Sequence, residues 1–222
     1  MTKGLVVVGI LSFLLAGCST TGSSAKETDP EVQEISVSLP AELTTLDTTQ
    51  TTDKVTFTVI QHLFEGSYRF DEKSQPVPGL AEEAVISEDG KTYTFKLKEE
   101  AKWSDGQQVQ AADFAYAWKK LVDPKTMGPN AYLLDNVVNS QDIREGKADI
   151  ATIGLETPDE KTFVVHLEQL QPSFLSVVSI GWLAPQRQSY VEEKGKAYGK
   201  TSEDLLYTGP FILKDWQQTG AE

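Results

Sequence analysis

The 222-residue chain carries 33 acidic side chains against 20 basic ones, a formal net charge of −13. A surface this acidic repels phosphate backbones and anionic lipid headgroups, which sets nucleic acid aside as a partner. The single cysteine excludes an internal disulfide and any cysteine-based metal site.

In chain order, Lys3 precedes an apolar run at 4–16. That run falls short of the roughly 20 residues of a spanning helix and has the length of a signal-peptide core. It closes on Leu15, Ala16 and Gly17 directly before Cys18, the arrangement at which a lipoprotein precursor is cut and its thiol takes a diacylglyceryl group. The expectation is a leader at 1–17, lipidation at Cys18, and a polar tether at 18–31 that holds the folded part off a membrane surface.

Alternation at 35–39 predicts a first strand, and the threonine-rich stretch through Thr52 predicts a loop. Asp53 is placed to cap a helix from Lys54 to about Phe64, with Val55, Val59, Ile60 and Leu63 at helical spacing. Residues 68–70 read as extended, and Pro76 and Pro78 as a break. A hairpin follows, its turn built on Asp89 and Gly90, with Tyr93, Phe95 and Leu97 on one face. Trp103 anchors its exit, and Ser104-Asp105-Gly106 turns into a helix at 111–121 that points Phe114, Ala115, Trp118 and Leu121 inward and stops at Asp123-Pro124. Beyond it the pattern predicts helix at 132–138 and 143–146, a turn at 157–160 and a strand at 162–167. An apolar helix at 174–180, an amphipathic stretch at 187–194 and a strand at 211–213 complete the series. Strands and helices mix without regular βαβ alternation, which suggests an α/β chain with an inserted α+β part.

Chemistry-bearing patterns are sparse. His62 and Glu65 form an H-x-x-E pair on one helix face, two ligands where zinc needs three or four, so the pair reads as structural. Paired carboxylates such as Glu82-Glu83 and Glu99-Glu100 fall at turns and strand ends, and there is neither a G-x-S-x-G nor a phosphate loop. Nothing in the pattern supports catalysis, and no metal or cofactor is expected.

A series of segments stands in one order: LFEGSYRFDE at 63–72, PGLAE at 78–82, DGKTYTFKLK at 89–98, AKWSDG at 101–106, ADFAYAWKKLVDPKT at 112–126 and YTGPFILKDW at 207–216. Over about residues 35–216 it resembles the extracytoplasmic oligopeptide-binding proteins of ABC importers, solute-binding family 5, which include dipeptide and peptide-pheromone receptors. The resemblance implies an α/β, periplasmic-binding-protein-like fold of two lobes. This chain would hold part of the first lobe, at 32–65 and 171–222, and its inserted α+β subdomain at 66–170, with the second lobe absent. It further implies a monomeric, lipid-anchored peptide receptor on the extracytoplasmic face of a Gram-positive cell membrane, serving an ABC permease and weak or inactive alone.

Relatives of that kind grip a peptide's backbone as an added strand. The loop after the first strand supplies one rail, which carries Gln50, Thr51, Thr52 and Asp53 over as candidate ligand residues; their other reading is an ordinary polar loop. A second rim follows DPKT, where many relatives carry an aromatic residue and this chain has Asn130, a departure that argues against ligand stacking there. The acidic anchor for a peptide's amino terminus belongs to the missing lobe. Trp103, Phe114, Tyr116 and Trp118 are taken as framework, while Trp182 and Trp216 stay open between framework and cleft. Also open are a receptor of the same fold for nickel, haem or a sugar, a peptide pheromone cut from 11–17, and a non-functional product, whether a natural truncation, a fragmentary reading frame or a trimmed chain.

Overall fold

The structure, a computed structural model, describes residues 34–216; the expected leader, Cys18 and the 18–31 tether lie outside the described residues. The first helix, α1 (Lys54–Leu63), begins where a carboxylate can close its open amides. Asp53 sits in extended backbone and accepts from the Thr56 amide at 2.8 Å and the Thr56 hydroxyl at 2.7 Å. Ile60 and Leu63 turn inward from this helix.

Strands β1 (Tyr68–Phe70) and β2 (Pro76–Pro78) pair antiparallel, Tyr68 opposite Pro78. The two prolines therefore form a strand instead of breaking one. A two-stranded ribbon is all edge, so a missing N–H is tolerated there. A four-stranded antiparallel sheet follows, made of β3 (Ala81–Ile86), β4 (Thr92–Leu97), β5 (Leu155–Asp159) and β6 (Thr162–His166) in the order β3-β4-β6-β5. The expected hairpin is β3–β4, and Gly90 supplies its positive φ of 67°. Strand β5 replaces the turn expected at 157–160. Pro158 lies in this outer strand, where the register shifts between Glu156 and Asp159, and the turn itself falls at Glu160 and Lys161.

Helix α2 (Ala111–Val122) starts on a double acceptor: the Asp113 carboxylate takes the Gln110 amide at 3.0 Å and the Trp103 indole N–H at 3.1 Å. The tryptophan after the hairpin is thus tied to the first turn of the helix that covers the sheet. The helix ends at Asp123 because a residue before proline is pushed out of helical conformation. Of the expected helix at 132–138 only a 3-10 turn at Ala131–Leu134 forms. Short helices α3 (Ser140–Arg144), α4 (Phe174–Val178) and α5 (Gln188–Lys194) follow.

Two expected strands are not formed. Residues 35–39 have no regular structure, with Ile35 67% and Val37 71% exposed, and no strand pairs with them among the described residues. Residues 211–213 are irregular as well. There the backbone docks on the end of α1, Gly209 N–H donating to Leu63 O at 2.9 Å and Phe211 N–H to His62 O at 3.3 Å, and a helix end offers no ladder to extend.

The main core centres on Phe163, which is fully buried. Its ring lies 5.1 Å from Trp118, 5.6 Å from Phe114 and 6.2 Å from Phe95, so β4, β6 and α2 meet in one aromatic cluster. A second cluster gathers Leu43, Leu46, Ile60, Leu63, Phe64, Ala184, Val191, Tyr198, Leu205 and Tyr207. Replacing Phe163 by alanine removes the shared contact of three aromatic rings. Urea denaturation of Phe163→Ala is expected to show a loss of about 3–5 kcal/mol.

Candidate functional site

The loop before α1 is built by side chains that replace a ladder. Asp47 Oδ1 accepts from the Thr49 amide at 3.0 Å and the Thr49 hydroxyl at 2.8 Å, and its carbonyl takes the Gln50 amide at 2.9 Å. The Thr51 hydroxyl donates within the loop as well, to Asp47 O at 2.9 Å and Thr45 O at 3.2 Å. Threonine is frequent here because short hydroxyls satisfy the carbonyls of a turning chain.

Beneath the loop lies a nearly dry polar cluster. Lys120, in the last turns of α2, places Nζ 2.8 Å from Asp47 Oδ2 and 3.0 Å from Gln186 Oε1. Gln186 Nε2 in turn donates to Asp47 Oδ1 at 2.9 Å and Thr48 Oγ1 at 2.8 Å. The ammonium also sits 5.0 Å from the Tyr198 ring centroid. Burial, reinforced by the Asp47 charge, pushes the Tyr198 hydroxyl well above its ordinary range. The segment after Tyr198 presses directly on the loop: Leu46 N–H donates to Gly199 O at 2.8 Å. Gly199 has a φ of 75°, and a Cβ there would stand 2.5 Å from Asp47 N. Only glycine combines that backbone angle with that approach.

The segment after α2 reaches the same loop from the other side. Asn130 Nδ2 donates to Thr51 O at 2.6 Å, and Gln50 Nε2 donates to Thr126 O at 3.2 Å. Between them Met127 takes a φ of 48° and Gly128 folds under Leu121, whose carbonyl would lie 2.4 Å from a Cβ. Gln50, Thr51 and Asn130, singled out from distant parts of the sequence, therefore meet. Thr51 and Asn130 are buried and spend their side chains on the chain itself, while Gln50 and Thr52 face outward. A phenyl ring at position 130 would carry no donor for Thr51 O, which the asparagine amide serves. Asp53 is occupied as the helix cap. Burial pushes its pKa up, but hydrogen bonds from Thr56 outweigh this and hold it below the usual carboxylate range.

His62 and Glu65 do not converge. The His62 Nδ1–H donates to Thr58 O at 2.7 Å, and Glu65 pairs with Arg69 at 3.1 Å. Trp103, Phe114 and Trp118 are buried in the main core, and Tyr116 packs part-buried against the second cluster. Trp182 and Trp216 pack against that second cluster too, Trp182 with its ring 4.7 Å from Phe57. The central residues Asp47, Lys120, Gln186 and Tyr198 were not marked by the sequence. Asp47 lies 73 residues from Lys120 and 139 from Gln186, and the one available signal was an aspartate wedged between Leu46 and a run of threonines. The result is a polar loop pinned from two sides, with Gln50 and Thr52 exposed on its outer face and no nucleophile–base pair in it.

Residues 75–221 match the model of the bacterial extracellular solute-binding proteins, family 5, middle region. A dipeptide-binding protein of Lactococcus lactis is 36% identical over 94% of this chain and 36% of its own length. Oligopeptide-binding OppA of Listeria monocytogenes, solved bound to peptide, superposes with a TM-score of 0.76 at 37% identity, covering 78% of this chain and 34% of that one. The pheromone receptor PrgZ gives 0.78 at 35% identity, covering 84% and 36%. The chain thus spans about a third of the length of these relatives, and its mixed helices and sheets correspond to the N-terminal portion of their fold.

Two outcomes test the loop. Asp53→Ala should cost about 1 kcal/mol at neutral pH by urea denaturation. Because the folded-state pKa is depressed, that difference is full above the ordinary aspartate value of about 4 and fades as pH falls through the lower folded value. Gly199→Ala forces a strained φ and a clash with the Asp47 backbone, so it should lower the thermal midpoint more than Gly106→Ala, where a Cβ meets nothing within 4 Å.

Proposed function

The chain belongs to the bacterial extracellular solute-binding proteins of family 5, and on that footing we propose that it recognises oligopeptides as the receptor part of an ABC importer. One observation supports this above the others. The loop at 47–53, whose residues 50–53 are expected to form one rail of a strand-like grip, takes side-chain contacts from three separate segments, Lys120 and Gln186 at Asp47 and Asn130 at the Thr51 carbonyl, with Gln50 and Thr52 exposed. A grip of this kind works through main-chain N–H and C=O groups, which every peptide carries, and so it tolerates varied sequences. The relatives named for dipeptides, peptide and pheromone favour this cargo over nickel, haem or a sugar.

In the same proposal, Cys18 carries the lipid, and the receptor works as a monomer on the extracytoplasmic face of a Gram-positive membrane, handing peptide to a permease. Residues 66–170 form a subdomain inserted into a lobe made by 32–65 and 171–222. A second lobe would close over the ligand by a hinge, and the present residues supply one side of the grip.

Calorimetric titration of residues 19–222 with a random hexapeptide mixture tests the proposal. The expected result is saturable but weak heat, with a Kd on the order of a millimolar, lost when residues 50–52 are replaced by Gly-Ser-Gly. A folded chain that gives no heat overturns it.

A further inference from the structure

We infer that α2 and the turn after it act as a brace for the peptide-facing loop, with Lys120 as its positioning residue; this rests on the peptide-recognition reading above. The loop from Asp47 to Asp53 contains no strand or helix of its own. Its shape is set by links from residues far along the chain: Lys120 to Asp47, Asn130 to the Thr51 carbonyl, and Gln50 to the Thr126 carbonyl.

Lys120 sets the geometry through Asp47. Its ammonium holds Oδ2, which leaves Oδ1 to receive the Thr49 amide, the Thr49 hydroxyl and Gln186. The orientation of one carboxylate thereby fixes the peptide unit at Thr49, next to the Gln50 amide that the Asp47 main-chain carbonyl receives. The Lys120 and Asp47 side chains are only 18% and 11% exposed, so water replaces neither partner easily. Asn130 then fixes the next carbonyl, that of Thr51. A lysine that faces no ligand thus determines where the rail's backbone groups stand, and the region carrying α2 acquires a purpose beyond folding itself.

The test uses the ¹⁵N-labelled 19–222 chain with K120M, K120R and N130A, read by amide hydrogen exchange and by peptide-induced shifts at 50–53. K120M should speed exchange at Thr49 to Thr52 by roughly tenfold while β4 and β6 amides keep their protection. The peptide-induced shifts should shrink with it, and K120R, which keeps the charge, should restore both. N130A should loosen Thr51 and Thr52 in the same way, and it decides the matter if K120M does not fold. Unchanged loop exchange in these variants overturns the brace, and so does a loosened loop with undiminished peptide shifts. Absence of peptide shifts in the unaltered chain overturns the peptide reading instead, and the exchange rates still decide the brace.

Discussion

The nearly dry ion pair of Asp47 and Lys120 is the constraint around which the second half of this structure is arranged. Charges this sheltered are stable only when each remaining lone pair and proton finds a partner. Gln186 meets that demand by bridging the two with its carbonyl and its amide, and the Tyr198 ring covers the open side of the ammonium. Satisfying one pair therefore gathers the loop before α1, the last turns of α2, the segment before α5 and the chain around Gly199. None of these contacts involves regular pairing. The cluster does for the irregular segments what the ladder does for the sheet.

The aromatic core works by a different logic. Phe163, Phe95, Phe114 and Trp118 are held by area and shape, and the two indole N–H groups then lock that packing to its surroundings. Trp118 donates to Leu183 O at 3.0 Å, and Trp103 to the Asp113 carboxylate. Burial pushes the Asp113 carboxyl above the ordinary range, against the pull of the Gln110 amide, the Trp103 indole and Arg187. The apolar core and the polar cluster share α2, which presents Trp118 to one and, two residues on, Lys120 to the other. A single helix serves both because successive side chains point in different directions around its axis.

Local pattern made the hairpin, α1 with its Asp53 cap, α2 and β6 legible, since each announces itself within a few residues. Proline misled twice. Pro76 to Pro78 and Pro158 were read as breaks or turns, yet both lie in strands at sheet rims, where a missing N–H is harmless. Alternation at 35–39 and the apolar run at 211–213 misled as well, because either pattern makes a strand only when a neighbouring strand is there to pair with it. The loop at 50–53 and Asn130 could be named from resemblance, but their meeting depends on contacts across 79 residues, and the Lys120 network beneath them spans still more. Long-range polar closure leaves no periodic trace in a sequence.

The outer strand β5 carries one more implication. Its rim exposes Glu156, Pro158 and Asp159, and its register slips between the first and the last of these. A border with a missing donor, two negative charges and a local kink is a poor template for another extended chain. For a protein proposed to hold its ligand as an extended chain, that matters for fidelity. Under that proposal, such a border would not compete with the loop for an extended peptide.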